Sequence, residues 1–209
     1  MNYLSWQRET AVSLLIFSAL TLLLAPRQMP PSYDWLQHTT SESAAQGVEG
    51  AWLARLGFMI LGLTVIWLSV LLREQWSQPV RLPHLAFGVL IVGAAVFSSK
   101  PWLPELPFDP VEDWLHSFAA SAMGFAFALG ITLRWWKRPW QSKMRLLDMV
   151  AVAASVVIPL SMSLLPDWDG LLQRIMFAIA YLWYGLELCH NEPGNQTAVN
   201  PETTTSSTP

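Results

Sequence analysis

Apolar residues in this chain come in runs rather than in alternation. Six stretches, at about 9–25, 50–72, 84–99, 114–135, 145–165 and 170–189, are almost continuously hydrophobic, and the segments between them hold most of the charge and proline. A helix needs roughly 20 mostly apolar residues to cross about 30 Å of hydrocarbon. Helices suit that setting because every backbone polar group is bonded within the segment. The pattern therefore predicts an all-α, polytopic integral membrane protein, a bundle of six transmembrane helices over residues 1–189. The third span is the shortest and opens at His84. Residues 190–209 are polar and rich in Thr, Ser and Pro. Such a segment buries too little apolar surface to offset the entropy of ordering, so we expect a disordered tail.

Composition agrees. Only 13% of the 209 residues are charged while 53% are hydrophobic, against about a quarter charged in soluble domains. Pro26 directly after Ala25 disfavours cleavage there, so the first span is read as a retained helix rather than a signal peptide. The single cysteine, Cys189, excludes an internal disulfide and any multi-cysteine metal site, and its position near the end of the last span predicts a buried structural thiol.

Charge then orients the bundle. Arg8, Arg73, Arg81, Arg134, Lys137, Arg138, Lys143 and Arg145 fall in one alternating set of connections, whereas the other set holds only Arg27 and Lys100. Basic residues accumulate on the cytoplasmic side, which predicts both termini inside. Asp34, Glu42, Glu49, Glu105, Asp109, Glu112, Asp113, Asp167 and Asp169 lie in the opposite, outer set or at its edges.

The outer connections also carry helix-start chemistry. Asp109 followed by Pro110 and Glu112 is a favourable start, with a capping side chain and proline at the first position. Thr39-Thr40-Ser41-Glu42 has the spacing of a capping box, predicting a short extra helix in the first outer loop that Gly47 closes. Asp34-Trp35, Asp113-Trp114 and Asp167-Trp168 recur once per outer connection. Tryptophan at the membrane interface and aspartate at helix starts account for the recurrence, and three structurally related hairpins are the alternative.

Asp113 and His116 share a helix face. Ser117, Ala120, Ser121, Gly124 and Ala128 continue that face with the small residues that let helices approach closely in lipid. The pair is therefore expected to point into the bundle. Arg55 and Arg174 lie about one turn inside their spans. Each either snorkels outward or pairs with Asp113, Glu42 or Asp169. The candidate outer pocket is His38, Ser41, Glu42, Arg55, Asp113, His116 and Arg174. At the inner end Asp148 and Glu187 are expected to pair with Arg145 and Arg134, and His84 and His190 to be interfacial.

The runs DWLQHTTSESAAQGVEGAWLARLGF and FDPVEDWLHSFAASAMGFAFALG resemble the bacterial six-span family catalogued as domain of unknown function 998, over roughly residues 10–188. The resemblance implies six helices in a bacterial cytoplasmic (inner) membrane and supplies no reaction. Asp113, His116 and Ser117 are also loosely similar to the zinc site of membrane hydrolases of the alkaline ceramidase type. The paired His-x-x-x-His of that group is missing here, because the last two spans hold no histidine before His190.

Three readings follow. The first is a binding or accessory membrane protein with an outward polar His/Asp/Arg pocket, in contact with the lipid bilayer and with another membrane protein as its partner. The second is a metal-assisted hydrolase of lipid or amide, with zinc on His38, His116 and Asp113 as candidate ligands. The third is a small transporter, disfavoured by the apolar middles of the spans. Nucleic-acid binding has no support, since orientation already explains the few basic residues. The first reading is the one adopted.

Overall fold

A computed structural model describes residues 3–190, and every regular element among them is helical. Six long helices follow in order: α1 (Tyr3–Leu24), α2 (Ala51–Leu71), α3 (Gln78–Val96), α4 (Pro110–Lys137), α5 (Met144–Leu164) and α6 (Asp169–His190). Single 3-10 turns occur at Ala25–Gln28, Glu42–Ala44 and Pro166–Trp168. Each helix packs on its predecessor, and α6 returns to α1, where Arg8 Nη1 donates to the Leu188 carbonyl at 3.3 Å. The connections 72–77 and 138–143 thus share one end, the basic end. The connections 25–50, 97–109 and 165–168 share the other, the acidic end. The expected tail lies outside the described residues, except for His190, which closes α6.

The outer surface of the bundle shows which solvent it is built for. Phe125 is 80% exposed and Leu164 79%, amid a broad belt of exposed Leu, Val and Ile. In water such a surface would aggregate; in hydrocarbon it costs nothing. Five helices, α1 to α5, are long and apolar enough to cross a membrane, one fewer than the six spans expected. At 22 residues α6 has the length. Its apolar run is diluted by Gln173, Trp183, Tyr184 and Glu187, and all four are buried in the protein rather than turned to lipid. The sixth helix belongs to the bundle through its inward face.

Local chemistry sets the helix boundaries. Asp109 caps α4, its Oδ1 accepting the Val111 N–H at 2.8 Å, with Pro110 at the first position. The capping box forms reciprocally: Glu42 Oε2 accepts the Thr39 N–H at 2.7 Å, and the Glu42 N–H reaches Thr39 Oγ1 at 3.1 Å. The helix it starts is a single 3-10 turn, followed by Gly47 at φ +68°. Close helix approach comes from glycine. A Cβ on Gly62 would lie 2.7 Å from the Gly88 carbonyl oxygen, and one on Gly88 would lie 2.8 Å from that of Gly62. At this point α2 and α3 touch backbone to backbone.

Four expectations need correction. Helix α3 starts at Gln78 rather than at His84, with Pro79 in the first turn, where a missing N–H costs little, and Pro83 accommodated inside the helix. His84 is therefore inside the helix and fully buried, not interfacial. Cys189 is exposed rather than buried, since α6 presents Tyr184, Glu187 and Leu188 to the bundle and the next residue turns away. On α4, His116 does point inward, at 4% exposure, but its face continues through Ala119, Met123 and Phe127. Ser117 and Ser121 are exposed, and Gly124 has open space where a Cβ would sit.

Candidate functional site

Loop one, residues 25–50, folds over the acidic end and is fixed to it by backbone acceptors. The carbonyls of Gln37 and Leu36 accept the N–H groups of Gly170 and Leu171, at 3.1 and 3.0 Å, which caps the first turn of α6. Arg174 clamps the same junction: Nη1 donates to the carbonyls of Trp35 (2.6 Å) and His38 (3.0 Å), and Nη2 to the Tyr33 hydroxyl (2.7 Å). Burial raises the Tyr33 phenol above its ordinary value, an effect the adjacent Arg174 guanidinium partly offsets. His38 stacks on Tyr33, its Nδ1 accepting the Asp34 N–H at 2.8 Å, and Trp102 closes the aromatic group at 5.1 Å from each ring. Ser41 joins the arrangement through its N–H, which donates to Gln173 Oε1 at 3.2 Å.

The other predicted residues hold different corners. Asp113 Oδ1 accepts the Lys100 N–H at 2.7 Å. His116 Nδ1 faces the carbonyls of Phe97 and Ala94, at 2.8 and 3.1 Å, so this nitrogen carries the proton and closes the α3–α4 corner. Arg55 donates from Nε to Ala44 O (3.0 Å) and from Nη2 to Ala45 O (2.9 Å). Among the described residues neither Arg55 nor Arg174 makes a salt bridge; both serve backbone carbonyls. Nor do any three His, Cys, Asp or Glu among the described residues stand where they could hold a metal ion. The proposed ligands His38, His116 and Asp113 each have their own structural partner.

Of the seven residues, Arg55 borders a cleft. It has a volume of about 450 Å³, opens at the acidic end, and is lined by Gln46, Gly47, Arg55, Pro107, Phe108, Asp109 and Glu112. Gln46 pins its two walls together. Its Oε1 accepts the Asp109 N–H at 2.7 Å, and its Nε2 donates to the carbonyls of Ser98 and Asp109. Glu112 Oε1 accepts the Ser98 N–H at 2.7 Å. The remaining oxygens, Asp109 Oδ2 and Glu112 Oε2, accept no hydrogen bond among the described residues, and Arg55 Nη1 donates none. The cleft therefore combines two carboxylates and a guanidinium, each with an unused polar edge.

A second polar cluster lies at the basic end and is buried apart from the edge of Arg134. Arg138 donates from Nε to Asp148 Oδ2 (2.7 Å) and from Nη2 to Glu187 Oε2 (2.6 Å), and Arg134 Nε reaches Glu187 Oε1 (2.6 Å). Both carboxylate side chains are 0% exposed. Trp76 Nε1 donates to Glu187 Oε1 and Trp183 Nε1 to Asp148 Oδ1, at 3.0 and 2.8 Å. Two acids thus meet two arginines and two indoles, as buried charge requires. His84 packs beside them between Trp76 and Trp183, its Nδ1 2.9 Å from the Tyr184 hydroxyl. Its Nε2 has no partner among the described residues and faces Gly130, the residue whose lack of a side chain admits the ring.

The Arg134–Glu187 pair matches expectation, but Asp148 takes Arg138 rather than Arg145. Arg145 instead lies over the rings of Trp140 and Trp135, at 4.1 and 4.8 Å. Arg138 was read only as one of the orienting loop charges. What could have revealed it is the need of Asp148 and Glu187, set in apolar helices, for more cationic partners than Arg134 alone. The cluster ties the 72–77 connection to α4, α5 and α6, with every carboxylate oxygen in it bonded.

No curated protein and no solved structure matches the chain. A family model described as protein of unknown function (DUF998) matches residues 10–188, and with that span, which takes in most or all of each of the six helices, the chain belongs to this family.

Proposed function

We propose that this is a binding or accessory protein of the bacterial cytoplasmic membrane, with both termini in the cytosol and the acidic-end cleft facing outward. The orientation rests on the basic residues gathered at one end of the bundle, eight against two. One observation supports binding above all. Arg55, Asp109 and Glu112 leave hydrogen-bonding edges open to one cleft, two carboxylates beside a guanidinium. Surfaces of that kind, concave with few convergent polar groups, suit a small ligand or the terminal group of a larger one. A partner membrane protein presenting such a group is accommodated equally well.

The test is native mass spectrometry of the protein extracted gently from its membrane. A retained ligand is expected in the parent, and its loss in Pro107→Trp, which narrows the cleft from an exposed loop position. Absence of any adduct from the parent, or an identical adduct in both, would contradict the proposal.

A further inference from the structure

The charges of the cleft define the chemistry of its occupant. Two carboxylates and one guanidinium give the lining a formal charge of −1 (one positive, two negative). A plain anion such as inorganic phosphate would gain Arg55 but meet both acids; a plain cation would gain the acids but meet Arg55. A ligand carrying both signs satisfies all three groups. Carboxylate oxygens accept N–H donors, and a guanidinium presents donors suited to phosphate or carboxylate oxygens. Quaternary ammonium groups are ordinarily held by cages of aromatic rings. This cleft has a single ring, Phe108, so the cation it fits is a primary ammonium.

We infer that the cleft binds a primary-ammonium phosphate zwitterion of the phosphoethanolamine type, its ammonium on Asp109 and Glu112 and its phosphate on Arg55. This deepens the binding reading above and depends on it. Two sources share the chemistry, the headgroup of an aminophospholipid in the adjacent leaflet and the free zwitterion in solution.

The experiment is calorimetric titration of the detergent-purified full chain, stripped of lipid, with O-phosphoethanolamine, phosphocholine, ethanolamine and inorganic phosphate. A parallel arm compares nanodiscs of phosphatidylethanolamine with nanodiscs of phosphatidylcholine. The key variant is Asp109→Asn with Glu112→Gln, which keeps the α4 cap and the acceptor for Ser98 while removing both charges. O-phosphoethanolamine is expected to bind most tightly of the four. In the double variant its affinity is expected to fall at least about tenfold, with an unchanged melting profile. Competition by phosphatidylethanolamine nanodiscs alone assigns the site to lipid; its absence assigns the free zwitterion. Equal binding of phosphate or phosphocholine, or an undiminished double variant, overturns the inference. If native mass spectrometry meanwhile finds an adduct lacking an ammonium group, the binding reading stands and the zwitterion falls. No adduct and no titration signal sinks both.

Discussion

Arg138 and Glu187 are separated by 49 positions in the chain and by 2.6 Å in space, with 3% and 0% of their side chains exposed. One guanidinium joins the end of α4 to the last turns of α6, and by its other edge to Asp148 at the start of α5. Removing one partner of such a set leaves an uncompensated buried charge, a loss of about 3–5 kcal/mol. Glu187→Ala is therefore expected to lower the thermal midpoint in detergent sharply, whereas Glu74→Ala, whose carboxylate is 85% exposed, leaves it within error. The contrast should survive high salt, because buried pairs are little screened. A midpoint for Glu187→Ala equal to that of the parent would show that the cluster does not hold the basic end together.

Glycine positions separate into two classes with opposite expected responses. A methyl group on Gly62 or Gly88 meets backbone on the facing helix, so Gly62→Ala or Gly88→Ala forces α2 and α3 apart and destabilises by about 1–3 kcal/mol. Gly124 and Gly185 have nothing within 4 Å of that methyl position. Alanine there is expected to be neutral or slightly stabilising through helix propensity. Thermal melts of the four single variants decide it, and a uniform response across the set would refute the backbone crossing.

Loop one should detach without melting the bundle. Gly170 lies against the carbonyls of Trp35 and His38, leaving no room for a side chain, and Arg174 donates to the same two groups. Gly170→Ala and Arg174→Leu are both expected to speed limited proteolysis between Trp35 and Gln46 several-fold, with the melting midpoint of the helices little changed. Resistance equal to that of the parent would mean that the loop is held elsewhere.

Alkali should loosen the same loop. The Tyr33 phenol is raised above its ordinary 10.0, chiefly by burial. A raised value favours the neutral form in the folded loop, so the contribution to docking is complete below pH 10 and lost as pH climbs through the higher folded value. Absorbance titration at the phenolate band, parent against Tyr33→Phe, should show one tyrosine ionising late together with increased loop cleavage. Ionisation of Tyr33 at the ordinary value would contradict its burial.

The periodicity made the helices legible, because a stretch long enough to cross a bilayer is read directly from its apolar length. Local signals were equally readable: the Thr39–Glu42 capping box and the Asp109 cap occur as spaced. Polar residues were harder to assign. Arg55 and Arg174 look in sequence like partners for acids and His116 like a pocket residue, but in the fold all three meet backbone carbonyls of segments distant or looped in the chain. Asp148 and Glu187 announced a need for cations, yet choosing Arg138 over Arg145 depends on how α4 ends and α5 begins. His84 was misplaced because the apolar run opens there, whereas the helix itself starts earlier, at Gln78. The cleft was half visible, since Arg55 was singled out while Asp109 and Glu112 were absorbed into the helix start.

The most direct test of the account is the compartment reached by the cleft. In a Cys189→Ser background, Phe108→Cys places one thiol at the cleft and Trp140→Cys places one at the basic end, both at exposed positions. A membrane-impermeant maleimide applied to intact cells is predicted to label Phe108→Cys and to spare Trp140→Cys until the cells are permeabilised. Labelling of Trp140→Cys with Phe108→Cys silent would turn the bundle over, and an outward-facing binding cleft could not be maintained.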